Sequence, residues 1–294
     1  MDNLGNLVAG TDQASRRILL LDPEADDWSS DEAVRWSWAA CTANGFDGLE
    51  AYWGVPTDVK VRNNPRLGEQ AMIVTDSLGL AAMLPFPAGD RKLWGCHVGG
   101  NPHSAELLPN GNVAVAASTG GWVRIYASSQ GPSCADYAEY AFAGAHGVHW
   151  DPGFQLLWVL GDDELVGLRV EGTDAKPEVR PVCRTLLPSR FGHDLQPVYG
   201  DRDRLWVSTG TQVYQYVKSA DRFDSDYPGR ERISREDVKS IGNLASGQTV
   251  STVPKPGGTY EWTTDTAEFH CPDRVKIRSG AGFYKMRVLN SEYE

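Results

Sequence analysis

The sequence predicts an all-β fold, a closed six-bladed β-propeller with four strands per blade, on three observations. Short apolar segments closed by turn residues recur along the whole chain. Three of them open in the same way, with a His, a turn rich in Pro, Gly, Asn or Asp, and an apolar strand. The last such opening strand, near the C-terminus, has no successors, while the N-terminal strands lack an opening one.

The clearest units are HSAELLPNGNVAV from His103, HGVHWDPGFQLLWV from His146 and HDLQPVYGDRDRLWV from His193. Their apolar strands are expected at 113–117, 156–160 and 205–209. Polar hairpins follow at Ser118-Thr119-Gly120, Gly161-Asp162-Asp163 and Thr209-Gly210-Thr211, then strands at 122–127, 165–170 and 213–217. A fourth strand, as at 137–142, closes a unit. Upstream, with Lys in place of His, Asp58-Val59-Lys60-Val61-Arg62 precedes strands at 71–75 and 80–86. Downstream, Val238-Lys239-Ser240 opens a longer unit containing Trp262-Thr263-Thr264-Asp265, and Phe283-Tyr284-Lys285-Met286-Arg287-Val288 opens one more. The N-terminus supplies its partners at 7–10, 18–22 and 34–38. The markers Lys60, His103, His146, His193, Lys239 and Lys285 are separated by 43 to 47 residues. One domain over 1–294 is expected, its C-terminal strand completing the N-terminal blade and removing the open sheet edge. Residues 40–57 break the period and are expected to form a loop at the mouth, carrying Phe46, Tyr52 and Trp53.

Composition narrows the function. The 294 residues are 41% hydrophobic, enough for a real core, and carry a net charge of −11. No Lys/Arg stripe exists to neutralise phosphates, so nucleic acid is not expected as a partner. No apolar run reaches the roughly 18 residues that span a bilayer. The N-terminus MDNLGNLVAG has no basic and apolar leader pattern, so a soluble, cytoplasmic monomer is expected; a secreted protein whose leader had been removed would read the same way. Five widely spaced cysteines without C-x-x-C suit reduced thiols. No Gly-rich loop lies between a strand and a helix, so no nucleotide cofactor is expected, and no Gly-x-Ser-x-Gly elbow occurs.

The first strand of a propeller blade lines the central channel, so the six markers are expected to meet at one level: three imidazoles opposite three ammonium groups, with Arg62 and Arg287 two residues further along. Three His on separate strands can hold a divalent metal, Mn, Ca or Zn, with Glu106, His149 and Gln196, each three residues on, as further ligands or their partners. The cationic half-ring of Lys60, Arg62, Lys239, Lys285 and Arg287 would attract an anionic small molecule and keep neighbouring His neutral. A neutral His serves as ligand or general base. The alternative is hydrated channel lining paired with hairpin acids such as Asp12, Asp76, Asp162 and Asp265. His97 and His270 fall on outer strands beside Cys96 and Cys271, and Trp158 and Trp206 share one strand position; all four are expected to be structural.

The repeat, the segments NPHSAELLPNGNVAVAAS, HGVHWD, GHDLQPV and WTTDT, and the terminal strand resemble an uncharacterised family of bacterial and fungal β-propellers. The axial His with a Gln is more distantly similar to oligogalacturonate-lyase-type propellers. That likeness implies a metal held by His and Gln, here His103, His146, His149, His193 and Gln196, which binds a uronate carboxylate ahead of β-elimination. The expected function is therefore a lyase or isomerase acting on a small anionic or carbonyl-bearing substrate. His146, His193, Lys239 and Lys285 would be catalytic, and Lys60, Arg62, Arg287, Tyr52 and Trp53 would bind substrate. A biosynthetic cyclase of the pericyclic or dehydrating kind and a non-catalytic interaction propeller are the alternatives.

Overall fold

The structure is a computed structural model and describes residues 7–64, 66 and 68–294. It contains six four-stranded antiparallel sheets, the architecture of a six-bladed β-propeller, and one short α-helix at Arg230–Ile233. The apolar segments explain themselves as strands. Val113–Ala117 and Leu156–Leu160 are buried at every position, as continuous apolar runs must be when both faces of a sheet are covered. Tyr137–Ala141, the fourth strand of its blade, alternates between exposed and half-buried, the signature of an outer strand.

The chain divides into two compact units. The first, Met1–Trp38 with Leu187–Leu289 and Glu294, holds blades one, five and six. Blade one is completed from the far end of the chain: Phe283–Val288 pairs with Val8–Asp12, which is followed by Arg17–Leu21 and Val34–Trp38. Val8, Leu19, Leu21, Trp28, Phe269, Phe283 and Met286 form its main core, with the Trp28 ring edge-on to Phe269 and Phe283 at 6.0 and 6.5 Å. Gly10 is required there, because a Cβ would lie 2.8 Å from the Phe283 ring. The second unit, Ala39–Leu186 with Asn290–Tyr293, holds blades two, three and four. Alanines at 114, 116 and 117 let its sheets approach closely around Trp94, Tyr126, Phe142 and Trp150.

The innermost strands start irregularly in one of two ways, with a bulge or with a left-handed residue, and in blade three with both. In blades two and three a bulge falls between Pro56 and Asp58 and between Pro102 and Ser104, so Thr57 and His103 are the bulged residues. In blades three to six the residue two positions before the marker is left-handed: Asn101 (φ 59°), Gly144 (61°), Phe191 (65°) and Asp237 (60°) precede His103, His146, His193 and Lys239. This register corrects two of the six markers. Thr57, not Lys60, is the counterpart of His103, and Lys60 is the counterpart of Glu106. The Met286 amide donates to Ser240 Oγ as the Ile241 amide donates to the Asp194 carboxylate, so Lys285 shares its position with Ser240 and Asp194, and Tyr284 takes the marker position. The basic residues spaced like the histidines lie three residues past the shared position in blade two and one residue past it in blade one.

Phe283 and Met286 bury core side chains and the strand supplies one whole edge of blade one. Deletion of residues 282–294 should therefore abolish cooperative thermal unfolding. Circular dichroism melting checks this; a truncated chain with an unchanged transition temperature contradicts it.

Candidate functional site

In the unit of blades two to four, the strand pattern Lys60-x-Arg62 faces a single acid from the next blade. Arg62 grips Glu106 with both arms, Nε and Nη2 donating at 2.8 and 2.9 Å, while its third nitrogen donates to the carbonyls of Val61, Asn290 and Glu292. Lys60 Nζ lies 3.6 Å from Glu106 and 3.9 Å from Asp58, and donates to Ser104 Oγ at 3.2 Å and to the Val148 carbonyl. Ser104 in turn donates to Asp58 at 2.6 Å. All of these side chains are buried. Burial alone would raise the Glu106 pKa, but the Arg62 and Lys60 charges outweigh it and hold the carboxyl far below the usual range. His149, 3.6 Å from Glu106, is beyond hydrogen-bond reach of it; burial pushes its pKa down to about 4, so it is neutral at pH 7.

The unit of blades one, five and six repeats the device with Lys285-x-Arg287. Arg287 donates two bonds of 2.6 Å to Asp194, Lys285 Nζ lies 3.2 Å from the same carboxylate, and the Ile241 amide adds a bond of 3.0 Å. Here too burial opposes ionisation and the Arg287 and Lys285 charges overcome it, keeping Asp194 well below the normal carboxylate range. The expected open half-ring of cations is thus corrected for Lys60, Arg62, Lys285 and Arg287: all four are buried in ion pairs. Their counter-ions are Glu106 and Asp194, on innermost strands, and not the hairpin acids. Asp76, for example, accepts the amides of Gly54 and Val55 and so fastens the mouth loop.

The histidines that share the start of the innermost strand are held alike. Nδ1 of His103, His146 and His193 faces the carbonyl of the left-handed residue two positions back, at 2.9, 2.7 and 3.2 Å. A carbonyl only accepts, so Nδ1 carries the proton and Nε2 is the basic nitrogen. The His103 and His146 rings lie 4.5 Å apart. In the other unit, His193 Nε2 is 2.8 Å from Lys239 Nζ, which is also 3.4 Å from Asp237 Oδ1. Burial draws the Lys239 pKa down, against the opposing pull of Asp237. An ammonium therefore sits against the basic nitrogen of a half-exposed imidazole, a donor–acceptor pair suited to anchoring an oxygen and taking a proton.

The sequence expects His103, His146, His149, His193 and Gln196 to share a metal. Among the described residues no three His, Cys, Asp or Glu side chains form such a group. His193 Nε2 faces an ammonium, His149 lies beside Glu106, and the Gln196 amide donates to the Leu195 carbonyl at 2.6 Å. The mouth loop also differs from expectation. Phe46 and Trp53 are buried, and Tyr52 stacks on His97 with centroids 3.7 Å apart, so these aromatics hold the loop down. His97 and His270 prove structural in setting: one is the base of that stack, and the other is buried with Nε2 3.3 Å from Ser251 Oγ. Trp158 and Trp206 bond to Asp151 and Asn243 inside the sheets. None of the five cysteines forms a disulfide, and no helix among the described residues is long and apolar enough to cross a membrane.

The molecule is thus a six-bladed propeller whose innermost strands bury paired cations on single acids, four of them beginning with a His or Lys. The chain belongs to a family of unknown function (DUF6528), whose model matches residues 7–291. Comparison with curated proteins gives no match. Among solved structures, a protein of unknown function from Bacteroides caccae is similar over 95% of this chain and 97% of its own, at 12% identity and a TM-score of 0.58. The dihydro-heme d1 dehydrogenase NirN matches 97% of this chain and 56% of its own length, at 13% identity and a TM-score of 0.50. Virginiamycin B lyase from Staphylococcus aureus matches 76% of this chain and 69% of its own at 10% identity and a TM-score of 0.49. The first two of these likenesses speak to the fold alone.

The acid-centred clusters generate a pH prediction. Glu106 and Asp194 have native pKa values below their unfolded values, so their stabilisation is present above about pH 4–5 and is lost as pH falls towards the native values. Asp194→Asn should cost about 3–5 kcal/mol at pH 7, since two buried cations lose their carboxylate. The variant should also lose less stability than the wild type between pH 5 and pH 2. Denaturant titrations across that range check both statements.

Proposed function

We propose that the protein is an enzyme that moves a proton on a small anionic or carbonyl-bearing substrate, a lyase or isomerase, with Lys239 and His193 as its working pair. The observation that carries this reading is the 2.8 Å contact between Lys239 Nζ and His193 Nε2, at a half-exposed position where the Nδ1 hydrogen bond fixes the ring. Lys239 is the cation of the expected half-ring that is not locked onto Glu106 or Asp194. Its ammonium would hold a carboxylate or the oxygen of a forming enolate, and His193 Nε2 would take the proton from the neighbouring carbon. Protonation of that nitrogen brings a second positive charge against Lys239, so the proton is readily returned, to the same carbon or to a leaving group.

A panel of small 2-oxo and 2-hydroxy carboxylates in D2O, followed by proton NMR, tests this directly. Loss of the signal of the hydrogen next to the carbonyl or carboxylate, faster than in buffer, is the expected result. His193→Ala and Lys239→Met should each slow it by roughly 10²-fold or more. Exchange at the buffer rate across the panel, or exchange unchanged in both variants, defeats the proposal.

A second reading is favoured by the 4.5 Å approach of the His103 and His146 rings, whose Nε2 atoms are both in the basic tautomer. Two imidazoles so placed suit a borderline divalent cation such as zinc. Isothermal titration with Zn²⁺, Mn²⁺ and Ca²⁺ should give Zn²⁺ binding that weakens at least ~10-fold in His103→Ala and in His146→Ala, in keeping with the loss of a metal ligand. Equal affinity in the variants rules this reading out.

A further inference from the structure

Phe191 occupies a position that its residue type does not suit. It has φ 65°, while the same position in the neighbouring blades holds Asn101, Gly144 and Asp237. Gly has no Cβ to clash there, and Asn and Asp tolerate the left-handed region far better than an aromatic residue. The strain is not offset by burial, because Phe191 remains 51% exposed. Yet the residue is central to the pair described above. Its carbonyl fixes His193 Nδ1. Its Cβ and ring edge lie over Gly210, 3.4 Å from where a Cβ there would sit. The Gly210 carbonyl accepts the amide of Asp237, whose carboxylate touches Lys239. Arg190 adds a guanidinium 5.1 Å from the ring centroid.

We infer that Phe191 is a specificity-determining residue: the Lys239–His193 pair takes an anion that carries a flat ring, an aryl-substituted carboxylate, with the carboxylate at Lys239 and its ring against Phe191. This inference rests on the Lys239–His193 reading and names the substrate class for it. An exposed aromatic ring with the Arg190 guanidinium over it, on the residue whose carbonyl orients His193, matches both halves of such a ligand, the apolar face and the charge. Burial of the exposed face by the ligand supplies what the chain itself leaves missing at a strained residue.

Phenylacetate and acetate serve as the probe pair, with binding to the full-length protein measured by ligand-observed NMR titration. The wild type should bind phenylacetate at least ~10-fold more tightly than acetate. Phe191→Asn should bring phenylacetate down to the level of acetate while its melting temperature stays at or above that of the wild type, since Asn suits the left-handed backbone. Lys239→Met should weaken both probes by the same factor. Two probes of equal affinity, both dependent on Lys239, overturn the role of Phe191 and leave the working pair standing. Affinity independent of Lys239, or no binding of either probe at millimolar concentration, overturns both. A Phe191→Asn protein that melts well below the wild type shows the ring to be structural and also overturns the inference.

Discussion

Two carboxylates, each buried to the last atom and each gripped by an Arg and a Lys two residues apart, are the constraint on which this architecture depends. A charge removed from water costs several kcal/mol unless partners of opposite sign and good geometry surround it. Glu106 and Asp194 each meet that demand with a two-armed guanidinium and a nearby ammonium. Because acid and cations come from different blades, satisfying them sets the relative depth of the innermost strands that carry them. Blade three is fixed on blade two through Glu106 and Arg62, and blade one on blade five through Arg287 and Asp194. Apolar packing is indifferent to sliding by a fraction of a residue, whereas a bidentate ion pair is not.

This arrangement also decides which cations are open to chemistry. Sequence counting offers five on the innermost strands, but a carboxylate that holds its proton affinity so low commits its partners. Lys239 differs because the acid beside it, Asp237, is an exposed side chain at 3.4 Å and not a buried clamp.

Much of the fold was legible in the sequence because its signal is local. Alternation, apolar runs and turn residues place the strands at 34–38, 80–86, 113–117, 156–160 and 213–217 with the bounds the structure has. The three histidines were legible for the same reason, each standing ten to twelve residues before its apolar strand. Lys60 and Lys285 were misplaced because the repeat length varies, 46 residues from Thr57 to His103 but 43 from His103 to His146, and a basic side chain at nearly the right distance is an easy substitute. The pairing of Arg62 with Glu106, and of Arg287 with Asp194, joins residues 44 and 93 positions apart and depends on register between blades. The sequence trace of it was visible all the same: the pattern Lys-x-Arg occurs on two innermost strands, and each needs one acid on a strand beside it.

The irregular start of the innermost strands has a consequence for how such a molecule can change. The bulge and the left-handed residue are backbone features, held by main-chain bonds such as those from the His146, His193 and Lys239 amides to Leu160, Ser208 and Thr252. Thr57, His103, His146, His193, Lys239 and Tyr284 are accordingly four different answers, over six blades, to one structural slot. A propeller built this way works as a socket set: hydroxyl, imidazole, amine or phenol can be exchanged one blade at a time, and new chemistry can be tried without renegotiating the frame that carries it.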